Sequence, residues 1–185
     1  MSGAEPGGAG WAGRPSGDEL APFYRRYVAL VPDGDLLETL AAQGAETAAW
    51  LRSLRPALAG HAYAPGKWTA AQAVAHVVDT ERIFGARALR LGRGDAAPLP
   101  GYDQNAYAAA LGAESRSLAD LAGELERLRA TTLDLLRSIP RPALDAVGTV
   151  SGGPMSARGA AYVIAGHERH HVQILRERYV GGGAA

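Results

Sequence analysis

The sequence of 185 residues predicts an all-α protein, a four-helix bundle with one or two extra short helices. Three observations predict this fold class. Helix start signals recur along the chain, at Asp35, Thr69, Ser117 and Ser156. Clusters of Pro and Gly separate the segments that these signals open. Strand-type alternation of apolar and polar residues is scarce, so a sheet is not expected to form the core.

The elements follow from the start signals. The stretches DLLE, TAAQ and SLAD place a capping side chain three residues before a Glu, Gln or Asp, as in a capping box, and Ser156 offers an N-cap alone. The predicted helices cover residues 18–30, 35–54, 69–91, 103–111, 117–138 and 156–179. The segment from Gly148 to Pro154 is compatible with a small hairpin.

The length suits one domain with its own core, predicted over residues 18–180. Residues 1–17 are rich in Gly, Pro, Ala and Ser, and we expect a mobile tail there, because such a stretch buries too little apolar surface to offset the entropy of ordering. Residues 181–185 are expected to be a second, disordered tail.

Composition excludes several function classes. Nineteen basic residues balance nineteen acidic ones, so no net field favours a nucleic acid or an anionic membrane. The start of the chain lacks the pattern of a signal peptide and no long apolar run follows, which predicts a cytoplasmic, soluble protein. There is no cysteine, so a metal ion would be held by nitrogen and oxygen ligands.

The stretch GHERHH, Gly166 to His171, satisfies the HExxH pattern of zinc proteases. Such a protease takes a third ligand from a later helix or from a longer histidine motif. The remaining sequence, VQILRERYVGGGAA, contains neither, and Glu177 lies too near on the same helix to fold back. A protease is therefore the least favoured interpretation.

Helical geometry separates the histidines of this stretch. With about 100° per residue, His167 and His171 lie within the apolar stripe of the last helix, whereas His170 lies on one shoulder and Glu168 on the other. Two imidazoles aimed into a bundle core need partners for their ring nitrogens. A shared metal ion would satisfy both, and hydrogen bonds to carbonyl groups are the alternative.

A third ligand would come from another helix. His76 lies in the second long helix at the border of its apolar arc, where it can face the bundle axis. A hydrogen-bonded core histidine is the alternative for His76 as well. His61 lies in the preceding loop and has no periodic reason to be a ligand.

Three segments carry a resemblance to a known family: YAPGKWTAAQAVAHVVDTERIFGARALRLGRGD, PLPGYDQNAY and VIAGHERHHVQILRERY. Together they resemble the DinB/YfiT-like superfamily, in its DinB-like branch, and the likeness runs from about residue 22 to residue 180. The resemblance implies a four-helix bundle that binds zinc, nickel or iron through three histidines. Its ligand positions match His76, His167 and His171.

The resemblance also implies a function. Proteins of this superfamily include transferases and an isomerase that use bacillithiol, mycothiol or glutathione, and others described as hydrolases. We therefore expect a metal-dependent thiol S-transferase or hydrolase that acts on small molecules in stress response or detoxification. A thiol would have to be a small cosubstrate, because the chain has no cysteine. A homodimer is expected by resemblance alone.

A non-catalytic metal-binding bundle is the alternative from another class, favoured if Asp79, Glu168 or His170 closes the site as a fourth ligand. Glu168 and Asp79 are also weak candidates for a catalytic acid or base. A solvated helix flank is the simpler expectation for Glu168, and a surface position for Asp79. Trp68, Tyr102 and Tyr107 are candidates to line a substrate pocket, although packing of loops on the bundle is the simpler expectation for all three.

Overall fold

The computed structural model describes Trp11, residues 13–111 and residues 116–181. These residues form helices α1 (Pro22–Val28), α2 (Leu36–Ser53), α3 (Ala70–Gly92), α4 (Gln104–Ala110), α5 (Leu118–Arg137) and α6 (Ala157–Ile174). They also form strands β1 (Val147–Val150) and β2 (Gly153–Ser156), and a π-helical turn, Leu175–Val180, that continues α6. The predicted all-α class is confirmed.

The predicted caps begin the four long helices. The Asp35 side chain accepts a hydrogen bond from the backbone N–H of Glu38, and the Ser117 side chain accepts from that of Asp120. Thr69 and Gln72 exchange both hydrogen bonds of a full capping box. Each helix therefore starts within a residue of its predicted position, because the capping side chain satisfies an N–H group that the helix cannot.

The first predicted helix, residues 18–30, is interrupted. Gly17–Glu19 form a short 3-10 turn, Leu20 is extended and bridges to Met155, and α1 starts only at Pro22. Proline fits the first position of a helix but lacks the N–H that a helix interior needs. The prediction of one continuous helix was wrong for this reason.

The hairpin expected near Gly148–Pro154 is present. β1 and β2 pair antiparallel, and the two residues between them, Ser151 and Gly152, both have positive φ, at 51° and 80°. Such a pair fits the two-residue turns whose twist matches that of the strands. Leu99 pairs with Val150 on the outer side of β1, so the loop after α3 is fixed to the hairpin.

The long helices α2, α3, α5 and α6 form the bundle. α2 packs on α5, and α3 packs on both α5 and α6. The short α1 covers α6 and comes very close to it: a Cβ at Gly166 would lie 2.0 Å from the carbonyl oxygen of Tyr27. The absence of a side chain at Gly166 thus sets the approach of α1.

The apolar core consists of two clusters. One cluster lies at the hairpin end of the bundle and includes Leu136 and Met155. The other lies at the opposite end and includes Leu51 and Leu121. Buried polar side chains from all four long helices lie near the middle of the bundle: Gln43, Thr47, His76, Thr80, Glu81, Arg129, Thr132, His167 and Glu168. This set is called the polar layer below.

The described part of the predicted N-terminal tail packs against the bundle. Trp11 is buried in the core cluster at the hairpin end, and the Arg14 guanidinium donates to the carbonyls of Val28 and Val31. Packing thus begins ahead of the predicted boundary at residue 18. Residues 1–10 and 182–185 of the two predicted tails lie outside the described residues. Within the described chain, no helix has both the length and the hydropathy to cross a membrane.

Candidate metal centre

Three histidine side chains converge within the polar layer. α3 supplies His76, and α6 supplies His167 and His171 one turn apart. The Nε2 atoms of His76 and His167 are 3.0 Å apart, and one nitrogen from each of the three rings lies within 4.8 Å of the others. Among the described His, Asp and Glu residues, this is the group with the spacing of a metal site.

Aromatic rings surround the cluster. The indole of Trp68 lies 4.9 Å from the His76 ring, and the phenol ring of Tyr27 lies 5.3 Å from that of His167, between ring centroids. His76 and His167 are buried, whereas His171 is half-buried. Tyr27 and Trp68 therefore cover part of the cluster, and His171 is its most exposed member.

Burial keeps the imidazoles neutral. Desolvation lowers the pKa of His76 to about 4, and desolvation with the neighbouring His76 and His170 lowers the pKa of His171 to about 3. The pKa of His167 also falls well below its usual value, mainly through burial. All three rings are thus unprotonated near neutral pH, which is the state that binds a metal ion.

The donor set fits a divalent ion. Two nitrogens that share an ion at bond lengths of about 2.1 Å lie at most about 4.2 Å apart. The Nε2 pair of His76 and His167 meets this limit, and the His171 nitrogen lies within 4.8 Å of both. Imidazole nitrogen suits zinc, nickel and iron alike, so the donor set does not select among them.

Two cavities border the cluster. The larger, about 500 Å³, lies between α1, α3 and the loop after α3, and His167 forms part of its wall. The smaller, about 250 Å³, lies beside the loop before α3, with His171 and Trp68 in its wall. Small molecules can thus approach the histidines from two directions.

The three aromatic residues considered as pocket-lining candidates, Trp68, Tyr102 and Tyr107, occupy different positions. Tyr102 lines the larger cavity, and its hydroxyl lies 2.8 Å from that of Thr80. Trp68 lines the smaller cavity, whereas Tyr107 is exposed and packs on Tyr102. Desolvation raises the pKa of Tyr102, so its hydroxyl stays protonated and can donate a hydrogen bond.

Glu168 is not on a solvated flank, and that expectation was wrong. Its carboxylate is buried and accepts hydrogen bonds from Arg129, at 2.6 Å, and from the Gln43 amide, at 2.6 Å. Helical direction alone put Glu168 on the shoulder of α6, but α2 packs on α6 and the Arg129 side chain of α5 reaches the carboxylate. The carboxylate therefore belongs to a bundle contact on the face of α6 away from the larger cavity.

Neither Asp79 nor His170 belongs to the histidine cluster. Asp79 pairs with Arg82 one turn along α3, at 3.1 Å. His170 is half-buried and packs edge-on against Tyr27. None of the three residues considered as a fourth ligand is grouped with the histidines.

Sequence reasoning missed the buried arginines. Arg129 on α5 binds Glu81 with two hydrogen bonds, at 2.9 and 2.7 Å, and joins it to Glu168. Arg87 on α3 is 4% exposed and lines the larger cavity. For Arg87 the sequence contains one signal, its position. It comes eleven residues after His76 and therefore points in nearly the same direction from the helix.

Comparisons with known proteins agree with this description. The family model of the DinB superfamily matches residues 39–175, which include all three histidines. Among solved structures, the chain is similar to YfiT from Bacillus subtilis, a probable metal-dependent hydrolase with an unusual four-helix bundle topology. The two share 15% identity with a TM-score of 0.69, over 94% of this chain and 95% of that one. No curated protein matches the sequence.

Proposed function

Because the chain belongs to the DinB superfamily, we propose that His76, His167 and His171 bind one divalent metal ion and that the protein is a metal-dependent transferase or hydrolase of small molecules. The observation that carries this proposal is the convergence of three neutral imidazoles, one of which, His167, forms part of the wall of a cavity of about 500 Å³. Three uncharged ligands leave the ion its full charge and an exchangeable position.

A divalent ion held there would supply a Lewis acid that polarises a substrate carbonyl or lowers the pKa of a water or thiol. The chain's own groups do the rest. Tyr27 and Trp68 pack on the ligand rings and keep water from two sides of them. The paired hydroxyls of Thr80 and Tyr102 border the larger cavity and can donate a hydrogen bond to a substrate there.

Two cavities at one cluster support a reaction with two partners. An electrophile in the larger cavity and a small thiol in the smaller one would meet at the histidines, which is the arrangement that an S-transferase needs. The similarity to YfiT supports hydrolysis, in which water replaces the thiol. A cytoplasmic location, a homodimer and a role in stress response or detoxification remain predictions.

A non-catalytic metal site is less well supported. Such a site is typically closed by a fourth protein ligand. Asp79 is engaged with Arg82, and Glu168 with Arg129 and Gln43. Their engagement elsewhere supports an exchangeable position on the ion.

Metal content tests the ligand set. Protein purified without a His-tag is subjected to elemental analysis, and His76→Ala and His167→Ala are compared with His61→Ala, which removes an exposed histidine outside the cluster. We expect about one divalent ion per chain in the wild type and in His61→Ala, and strong loss in the other two. Wild-type metal content in both cluster variants would refute the site.

Turnover tests the reaction class. Metal-loaded protein is given 1-chloro-2,4-dinitrobenzene with bacillithiol, mycothiol or glutathione, and 4-nitrophenyl acetate with water alone. Thiol-dependent turnover that His171→Ala abolishes supports the transferase, and ester cleavage without thiol supports the hydrolase. A metal-loaded protein inert in every combination would instead favour a non-catalytic role.

A further inference from the structure

The larger cavity contains a buried cation without a counter-ion among the described residues. Arg87 is 4% exposed, and one terminal guanidinium nitrogen, Nη2, donates to the Pro100 carbonyl at 2.9 Å and to the Ser151 hydroxyl at 3.1 Å. The other, Nη1, is buried and has no hydrogen-bond partner in the described part of the chain. A buried charge is costly unless it is paired, so this group needs an anion.

The surroundings fix the guanidinium in place. It lies 4.5 Å from the ring centroid of Phe84 and 5.9 Å from that of Tyr102. Ser151, whose hydroxyl accepts from Nη2, has a positive φ of 51° at the hairpin turn, where Gly or Asn is usual. Two part-buried hydrogen bonds, one of them to a residue with an unfavourable backbone conformation, thus hold one side of the arginine, and its other terminal nitrogen has no partner among the described residues.

Arg87 and the histidine cluster border the same cavity. His167 and Arg87 both lie in its wall, together with the hydrogen-bonded pair Thr80 and Tyr102. On α3, Arg87 comes eleven residues after His76, so the two Cα atoms are about 16 Å apart along the helix axis in nearly the same direction. Arginine side chains on helices lean towards the N-terminus, which brings the guanidinium towards the histidines.

We propose that Arg87 is the binding group for a carboxylate of the substrate, so that the protein acts on small molecules with a carboxylate at one end and the reacting group at the other. This proposal rests on the proposed metal-dependent function for the reacting end alone. The carboxylate would accept from Nη1 of Arg87 and from the Ser151 hydroxyl, whose hydrogen is free to point into the cavity.

In the metal-free protein, the charges around Arg87 favour a monoanion. Arg87 brings one positive charge, the imidazole of His167 is neutral, and Asp103 at the cavity mouth brings one negative charge. Asp103 is held there because its carboxylate caps α4 through the N–H groups of Asn105 and Ala106. A phosphate dianion would meet one cation and one carboxylate, whereas a single carboxylate is matched by the arginine.

The first experiment needs no metal. Binding of hexanoate and of hexanamide, which have the same shape but differ in charge, is measured by NMR titration on metal-free wild type, Arg87→Gln and Ser151→Gly. We expect hexanoate to bind the wild type about tenfold more tightly than hexanamide, since a hydrogen bond between charged groups is the difference. Arg87→Gln should remove this preference.

Ser151→Gly guards against misfolding as an explanation. Glycine adopts positive φ without strain, so this variant keeps the turn and the fold but lacks the hydroxyl, and the preference for hexanoate should fall several-fold. Arg90→Gln is the matched control, because Arg90 lies on the same helix, pairs with Asp95 and is absent from the cavity wall. It should keep the full preference. Equal binding of the two ligands by the wild type, or an unchanged preference in Arg87→Gln, would overturn the proposal.

A second experiment tests both ends of the proposed substrate with a single ligand. Suberic acid monohydroxamate and octanohydroxamic acid carry the same metal-binding group, but only the first has a distal carboxylate. In metal-loaded protein, the acid should bind about tenfold more tightly, and Arg87→Gln should weaken only the acid. If neither hydroxamate binds, the metal site is wrong while the hexanoate result still decides the carboxylate site. If both bind equally, the metal site holds and the Arg87 proposal fails.

Discussion

At the scale of single residues, the site depends on imidazoles that stay unprotonated. Burial of His76, whose ring packs on Trp68, removes the water that would solvate an imidazolium, which is why its pKa falls to about 4. Neutral rings are good ligands, but in the metal-free protein they make folding sensitive to acid.

We predict that the metal-free protein loses stability as the pH falls from about 6.5 to about 4. In this window the unfolded chain binds a proton at His76 that the folded chain excludes, so the free energy of unfolding decreases, by up to about 3 kcal/mol for this residue. Urea unfolding at several pH values measures the effect. His76→Gln should flatten the curve, whereas His61→Gln, at an exposed histidine, should leave it unchanged.

The same reasoning gives a metal-linked prediction. An ion that binds the folded chain stabilises it by about 2.7 kcal/mol at a concentration one hundred times its dissociation constant. Added Zn²⁺ should therefore raise the Tm of the wild type by several degrees and that of His167→Ala by much less. Equal shifts in both proteins would show that the ion binds elsewhere, and a chelator should reverse the shift in the wild type.

At the scale of elements, the contact between α1 and α6 positions one side of the site. Tyr27 on α1 packs on the His167 ring, and α1 reaches this position because its backbone lies against Gly166 of α6. A Cβ at Gly166 would lie 2.0 Å from the Tyr27 carbonyl oxygen, so α1 would have to move. Gly166 thus connects the packing of α1 on α6 to the environment of the His167 ring.

We predict that Gly166→Ala destabilises the protein by about 1–3 kcal/mol, as overpacking does. Gly85→Ala is the matched control: Gly85 also lies inside a long helix, but its Cβ would make an ordinary contact, 3.8 Å from Leu135. Alanine is the better helix former there and should stabilise by up to about 1 kcal/mol. Thermal unfolding of both variants decides, and a neutral Gly166→Ala would contradict the packing described above.

At the scale of the whole molecule, the polar layer joins the four long helices. Arg129 of α5 binds Glu81 of α3 and Glu168 of α6, and it donates to the carbonyl of Leu40 on α2 at 2.5 Å. The Arg129 side chain fits beside α2 because residue 44 is a glycine, and a Cβ there would lie 2.7 Å from the guanidinium. Glu168 is the neighbour of His167 in sequence, so the network also fixes the register of α6, which carries His167 and His171.

We predict that Arg129→Met destabilises the protein by about 3–5 kcal/mol, because Glu81 and Glu168 would be left buried without their cation. Arg52→Met is the matched control, since Arg52 also joins α2 and α5 but pairs with Glu126 at the surface, and it should change stability far less than Arg129→Met does. Denaturant unfolding compares the two. The triple variant that adds Glu81→Gln and Glu168→Gln to Arg129→Met should regain part of the lost stability, because it no longer buries two unpaired carboxylates.

Local sequence signals determined the helices. Capping side chains, Pro and Gly act within a few residues of themselves, so the four long helices and their starts could be predicted, as could the directions of His167 and His171 on α6. The grouping with His76 came from the family resemblance combined with helical direction. Pro22 was a local signal too, and neglecting it produced the wrong first helix.

The tertiary structure alone decided which polar residues are buried and what they contact. Helical direction predicted a flank position for Glu168 because it says nothing of neighbouring helices, and here Gln43 of α2 and Arg129 of α5 bind the buried carboxylate. Composition gave no signal for Arg129, and for Arg87 its spacing from His76 was the one signal, because an arginine is expected at the surface until the positions of its neighbours are known. Partners 39 and 64 residues away in the chain, Glu168 for Arg129 and Ser151 for Arg87, are brought together only by the packing of the helices and of the hairpin against them.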